Sequence, residues 1–342
     1  MMKLELAMMG GDFTARGEEA ARIEAQGLDC GVIFESSRDP FLQVLLAAQN
    51  TKHLEIATGV AIAFARSPMI VAQTANDLQA LSHGRFVLGL GSQVKAHIEK
   101  RFSMPWSRPA ARMREFVQAI RAIWHAWETG EKLEFRGELY THTLMTPMFS
   151  QGPNPFGTPP IFVAGVGPKM IEVAGEVGDG MYVHPLNTPT FLTDVLLPTL
   201  HKGFTAAGKQ RSDFEVSCQT IVMMGNSDEQ IQTARNKAKG QISFYGSTPA
   251  YQVVLDHMGV GELQPELNRL SKQGKWFEMM GLVTDDMLDD IGVSGTPAQL
   301  GAQIVERNGG LVDRTMLTLY NETGDPDAVV DLVRAVHEAD KA

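Results

Sequence analysis

Two stretches of this chain share one design, and together they restrict its fold more than any other feature. Gly84-Arg85-Phe86-Val87-Leu88-Gly89-Leu90-Gly91-Ser92 follows a helix opened by Pro68. It runs as an apolar strand from Phe86 to Leu90 and stops in a glycine turn, and a polar loop then leads to another long amphipathic helix. Ile161-Phe162-Val163-Ala164-Gly165-Val166-Gly167-Pro168-Lys169 repeats the design. Helix, strand, small-residue loop, helix is one unit of a barrel whose loops hold a ligand at the C-terminal ends of the strands. Two glycine-bearing strand ends in one chain point to one large ligand touched by several loops.

The rhythm extends along nearly the whole chain. Lys3–Met8, Cys30–Phe34, Glu55–Gly59, Phe86–Leu90, Ile161–Ala164, Met181–Val183, Glu215–Met223 and Arg314–Leu319 read as eight strands, with helical patterns between them. Their apolar runs are continuous rather than alternating, which fits a parallel sheet buried on both faces. The predicted architecture is α/β: a (β/α)8 TIM barrel forming a single domain over residues 1–342, with insertions at its C-terminal face. A doubly wound open sheet is the alternative, since strand count does not show closure.

The insertions fall at about 129–160 and 246–292. In the first, Leu133–Phe135 and Glu138–Tyr140 read as a small hairpin about Arg136-Gly137, followed by a proline-rich excursion from Pro147 to Pro160. The second carries helical patches and no strand. Trp276, Phe277, Met279 and Met280 within it suit either an apolar lid or local core packing. Between strand four and the first insertion, Met113, Phe116, Val117, Ile120, Ile123, Trp124 and Trp127 recur at steps of three and four. That stripe faces a core or an interface, and it leaves Arg112, Arg114, Arg121 and His125 on the solvated side.

A net charge of −10 argues against nucleic acid or an anionic membrane as partner, because neutralising phosphates needs a basic surface. It leaves room for one phosphorylated cofactor held by backbone N–H groups at a helix start. The 2 cysteines, Cys30 and Cys218, lie in apolar strands and read as buried thiols, with no ligand cluster for a metal. No apolar run approaches the ~20 residues that span a bilayer. The acidic start does not resemble a signal peptide, so a cytoplasmic location is expected.

The strand ends supply the candidates for chemistry. Strand two ends in Glu35-Ser36-Ser37-Arg38-Asp39, where the Glu35 carboxylate could pair with Arg38 or have its pKa raised by burial. Strand three ends in Gly59, Val60 and Ala61. Strand four ends in Gly89, Gly91 and Ser92, with His97 in the loop beyond. Strand five ends in Ala164, Gly165, Val166 and Gly167, and strand six in His184. Glycines there permit positive φ and close approach of a ligand. Free N–H groups after Gly165-Val166-Gly167, helped by Lys169, would accept a phosphate. The pattern lacks the third glycine and the ribose-binding acid of a dinucleotide fingerprint. No nucleophile elbow or zinc-protease helix is present, so an organic cofactor would supply the reactive atom.

Thr58-Gly59-Val60, Arg66-Ser67-Pro68, Ser82 through Gly91, Val163 through Lys169 and Gly178-Asp179-Gly180 resemble, in order and over almost the whole chain, the bacterial luciferase-like superfamily. Gly91 through Ile98 and Phe244 through Pro249 further resemble its coenzyme F420-dependent oxidoreductases. The resemblance implies a homodimeric TIM barrel with a flavin or deazaflavin across the strand ends. It implies a cis peptide at Gly59-Val60 behind the ring, a phosphate loop at Gly165-Val166-Gly167, and a polar contact from His184. Many relatives place a histidine after strand two, where this chain has Glu35-Ser36-Ser37, so Glu35 and His97 become the candidates for moving a proton. The expected activity is hydride transfer between F420 and a small organic substrate. An FMN-dependent monooxygenase using oxygen is the second reading, and a flavin-binding barrel without turnover is the third.

Overall fold

The computed structural model describes residues 2–8 and 12–341. Eight parallel strands close into a barrel: β1 (Lys3–Met8), β2 (Cys30–Ile33), β3 (Glu55–Thr58), β4 (Phe86–Gly91), β5 (Ile161–Ala164), β6 (Gly180–Val183), β7 (Glu215–Met224) and β8 (Arg314–Asn321). Each pairs with the next, and β8 returns to β1 with Arg314 beside Lys3 and Leu317 beside Leu6. Closure removes the open-sheet alternative.

Helices α1 (Arg16–Ala25), α2 (Pro40–Asn50), α3 (Pro68–Leu81), α4 (Pro109–Thr129), α5 (Pro168–Val177) and α6 (Leu197–Ala207) pack outside in chain order. Local chemistry sets several of their starts. Asp39 accepts from the Phe41 N–H ahead of α2, and Ser67 accepts from the Ile70 N–H ahead of α3. Each has proline at the first helical position, where a missing N–H costs nothing. The α4 stripe is core: Trp124 and Trp127 are buried, and the Trp124 indole donates to Ala72 O at 3.0 Å. Arg112 is not solvated as expected. It is buried, donates to the Tyr140 hydroxyl at 2.7 Å and to Pro105 O at 2.6 Å, and lies over the Phe64 ring. A guanidinium packs its planar face on aromatics while its edge bonds, a property that helical periodicity does not encode.

The first insertion does not cap the mouth. It leaves the C-terminal end of α4, and its hairpin runs along the outside of that helix. The hairpin pairs Phe135 with His142 and Arg136 with Thr141, so the turn lies two residues later than expected. Glu115 on α4 fixes that turn by accepting the N–H groups of Glu138, Leu139 and Tyr140. Farther on, Gln151 and Asn154 bond Asn76 on α3, and Phe156 stacks on His83.

The second insertion is larger than expected. Helix α7 (Asp228–Gly246) carries Tyr245 to within 4.6 Å, ring to ring, of His184 at the end of β6, so it crosses toward the mouth instead of flanking the barrel. The insertion closes with a short strand, Gly292–Gly295, that pairs with the upper half of β7 where no strand was expected. Helix α8 (Pro297–Asn308) fills the outer position between β7 and β8, and α9 (Ala328–Ala339) packs beside it.

The floor of the barrel is ionic. Arg314 on β8 bonds Glu5 at 3.1 Å and Glu55 and Glu215 at 2.5 Å each, Lys3 joins Glu55 at 2.9 Å, and Ser217 donates to Glu5. Glu5 is fully buried, and burial raises its pKa against the pull of Arg314. Above this floor an apolar layer of Cys30, Val32, Ala57, Val87, Phe162, Tyr182 and Met316 fills the interior.

Candidate active site

The mouth lies above that layer, and its best-defined part joins β2, β3 and β4. The Thr58 hydroxyl donates to Gly89 O at 2.8 Å and accepts the Gly89 N–H at 2.9 Å, clamping the end of β3 onto β4. The next peptide, Gly59-Val60, is cis, as the resemblance implied. Pairing then resumes, Ala61 with Leu90 and Ile62 with Gly91. Gly59, Gly89, Gly91 and Gly165 serve close packing rather than handedness: neither they nor Gly167 are among the residues with positive φ, and Gln93 takes that conformation instead at 58°. A Cβ on Gly89 would stand 1.8 Å from Thr58 O, and one on Gly91 would stand 2.5 Å from Val60 Cγ2.

Glu35 belongs to the same assembly. Its carboxylate accepts the Ile62 N–H at 2.6 Å and pairs with Arg66 at 2.7 Å, with its side chain 5% exposed. Arg38, the expected partner, instead lies over the Phe13 ring at 5.3 Å, and Asp39 takes the other edge of Arg66. Glu35 therefore grips the segment following Gly59-Val60. His97 stands apart, exposed on a short helix, Lys95–Lys100. That helix borders the strand-two loop through Arg101, which donates to Ser36 O. The Ser92 hydroxyl bonds Gln93 O at 3.1 Å.

Next around the barrel, β5 ends at Ala164, which is paired with Tyr182, and the chain turns through Gly165 and Val166 into α5. Gly167 caps that helix and brings no side chain to its free N–H groups, in contrast to the Asp39 and Ser67 caps. A Cβ on Gly167 would meet nothing within 4 Å, and Lys169 is exposed. An open, uncapped helix start of this kind fits a phosphate.

His184 marks the far side. Its Nδ1 accepts the Leu186 N–H at 3.1 Å, which puts the proton of the neutral ring on Nε2. Burial lowers its pKa to about 3, so the ring is a neutral donor at physiological pH. It meets Tyr245 edge-on and Tyr251 at 4.2 Å. Tyr320 is close enough to act on the Tyr245 phenol, and burial pushes the Tyr320 pKa up to about 12. These tyrosines were not among the expected site residues. Tyr245 alone lay in a noted segment, and nothing local in the sequence links positions 184, 245, 251 and 320.

A closed barrel of eight parallel strands with helices outside places the chain among the (β/α)8 proteins. The chain belongs to the luciferase-like monooxygenase family, whose model matches residues 6–314. It is 50% identical over 303 residues to the uncharacterized protein Rv1360 of Mycobacterium tuberculosis, covering 88% of this chain and 89% of that one. It is 28% identical over 278 residues to the 5,10-methylenetetrahydromethanopterin reductase of Archaeoglobus fulgidus, covering 79% and 78%. Its fold resembles that of the coenzyme F420-dependent tetrahydromethanopterin reductase of Methanopyrus kandleri, with a TM-score of 0.80, 19% identity and 97% of both chains covered.

Proposed function

We propose that this protein is a coenzyme F420-dependent oxidoreductase acting on a small organic substrate. The observation that carries the reading is the arrangement of two features at the ends of the strands on either side of β4. The Gly59-Val60 segment, locked by Thr58, Gly89 and Gly91, is separated by β4 from the open helix start at Gly165–Lys169. When bound, the deazaflavin supplies a two-electron centre that gives or takes hydride. Gly59, Val60 and Ala61 would back its ring, with Gly89, Gly91 and Ser92 forming the adjoining edge. Ala164, Gly165, Val166, Gly167 and Lys169 would hold its phosphate, and His184, expected at the cofactor, lies across the mouth with its Nε2–H left for the second reactant.

Glu35 is a positioning residue in this scheme, because its carboxylate is already engaged by Arg66 and the Ile62 N–H. His97, exposed beside the mouth, would relay the accompanying proton to solvent. The name of the family favours a second reading, an FMN-dependent monooxygenase. Stopped-flow oxidation of reduced F420 and oxygen uptake with reduced FMN, each over a panel of organic substrates, separate the two. Substrate-dependent F420 turnover without oxygen uptake is expected. With it, His97→Ala should slow turnover about tenfold, and Glu35→Gln should raise the Kd for F420 with little effect on the rate at saturation. Wild-type rates and affinities in both variants would remove these roles.

A further inference from the structure

Around the barrel, β3, β4 and β5 carry the features suited to the cofactor, while β6, β7 and β8 lead to a different surface. There the ring of His184 is flanked by Tyr245 at 4.6 Å and Tyr251 at 4.2 Å, with Tyr320 near enough to raise the Tyr245 pKa. Among the described residues, His184 Nε2 and the hydroxyls of Tyr251 and Tyr320 have no hydrogen-bond partner, and the three residues are half-buried. The cluster continues outward. Phe244 lies 6.1 Å from Tyr245 and 6.5 Å from Trp276, and these two apolar side chains are 51% and 52% exposed. Large aromatics left half in water beside half-buried polar donors are unusual on a surface with no ligand.

We infer that this aromatic box binds the second reactant, and that the reactant is an uncharged, largely apolar molecule presenting an oxygen acceptor. The inference rests on the cofactor reading only in calling the occupant a substrate. The box itself is defined by ring geometry. Three features favour a neutral acceptor. His184 is fixed as an Nε2–H donor by its bond from Leu186. The tyrosines are neutral phenols: burial raises the pKa of Tyr245, Tyr251 and Tyr320, and the neighbouring Tyr320 and Tyr251 raise that of Tyr245 further. The lip formed by Phe244 and Trp276 offers dispersion and hydrophobic contact but no countercharge. A carboxylate or phosphate monoester entering here would lose water without gaining a cation, which is the costly case. A carbonyl or hydroxyl oxygen loses little hydration and gains a directed donor, while its apolar bulk covers the lip.

The test uses two probes built on one ring. Cyclohexanone and cyclohexanecarboxylate are titrated into the protein, with and without F420, and binding is followed by calorimetry and by tryptophan fluorescence. Cyclohexanone should saturate at a Kd about tenfold or more below that of the carboxylate. Trp276→Ala and the conservative Tyr251→Phe should each weaken cyclohexanone about fivefold while leaving F420 affinity unchanged. Equal or tighter binding of the carboxylate would overturn the inference, as would unchanged cyclohexanone affinity in both variants. A cyclohexanone preference in a protein that binds no F420 would sustain the box while removing the cofactor reading, so the two proposals fail separately.

Discussion

The two ends of the barrel treat their polar groups in opposite ways. At the floor, Arg314 is surrounded by Glu5, Glu55 and Glu215, and Lys3 completes the network. Every charge there has an opposing partner, and the cluster seals the bottom of the interior. At the mouth, the donors face the other way. The α5 start has no side-chain cap, and His184 Nε2–H has no acceptor among the described residues. A satisfied polar network holds a structure together, while an unsatisfied one near solvent is available to a ligand. The contrast separates stability from function by location, and it can be broken experimentally.

The largest effect is expected at the floor. Arg314→Met leaves Glu5 and its neighbours buried without their cation and should cost about 3–5 kcal/mol in urea unfolding. A loss below about 1 kcal/mol would mean that the network contributes little. Next is Gly89→Ala, whose methyl group would be driven into Thr58 O, a backbone atom that cannot swing away. A cost of about 1–3 kcal/mol is expected, together with weaker cofactor binding, because the Thr58–Val60 segment must move.

A pH titration sharpens the comparison further. The folded His184 value of about 3 lies below the ordinary 6.5, so between these values the unfolded chain takes up a proton that the folded chain refuses. The stability contribution is therefore complete above about pH 6.5 and shrinks as pH falls toward 3. Thermal melts of wild type should decline over that window, and His184→Gln should flatten this part of the decline. Identical slopes would show that His184 is not the group responsible. The smallest effect on stability is expected for Gly167→Ala, within about 0.5 kcal/mol, since φ is −73° and the added methyl group meets open space. The same methyl group should weaken F420 binding about tenfold if a phosphate sits there.

Much of the fold could be read from local pattern. Continuous apolar strands and amphipathic helices depend on near neighbours, so the eight barrel strands and the starts of α2, α3 and α5 fall where the sequence places them. Parts of the candidate site's framework were legible for the same reason: Gly59, Gly89, Gly91 and Gly165 sit where chains must pass closely. The parts that were not legible depend on distant pairs. Glu35 meets Arg66 rather than the nearby Arg38 because the β3 segment folds back across the end of β2. The path of α7 over the mouth, which brings Tyr245 to His184, is a consequence of tertiary packing. Its own amphipathic pattern would suit an outer helix equally well. The exposed Trp276 had no distinguishing signal, since Met279 in the same turn is buried in the ordinary way.

The most direct measurement is equilibrium binding of F420 and FMN to the purified protein, side by side, followed by ligand fluorescence. Tight F420 binding with at least about tenfold weaker FMN binding is expected, and Gly167→Ala should reduce the former. FMN binding tighter than F420 binding would contradict the proposed function and turn the chemistry toward oxygen.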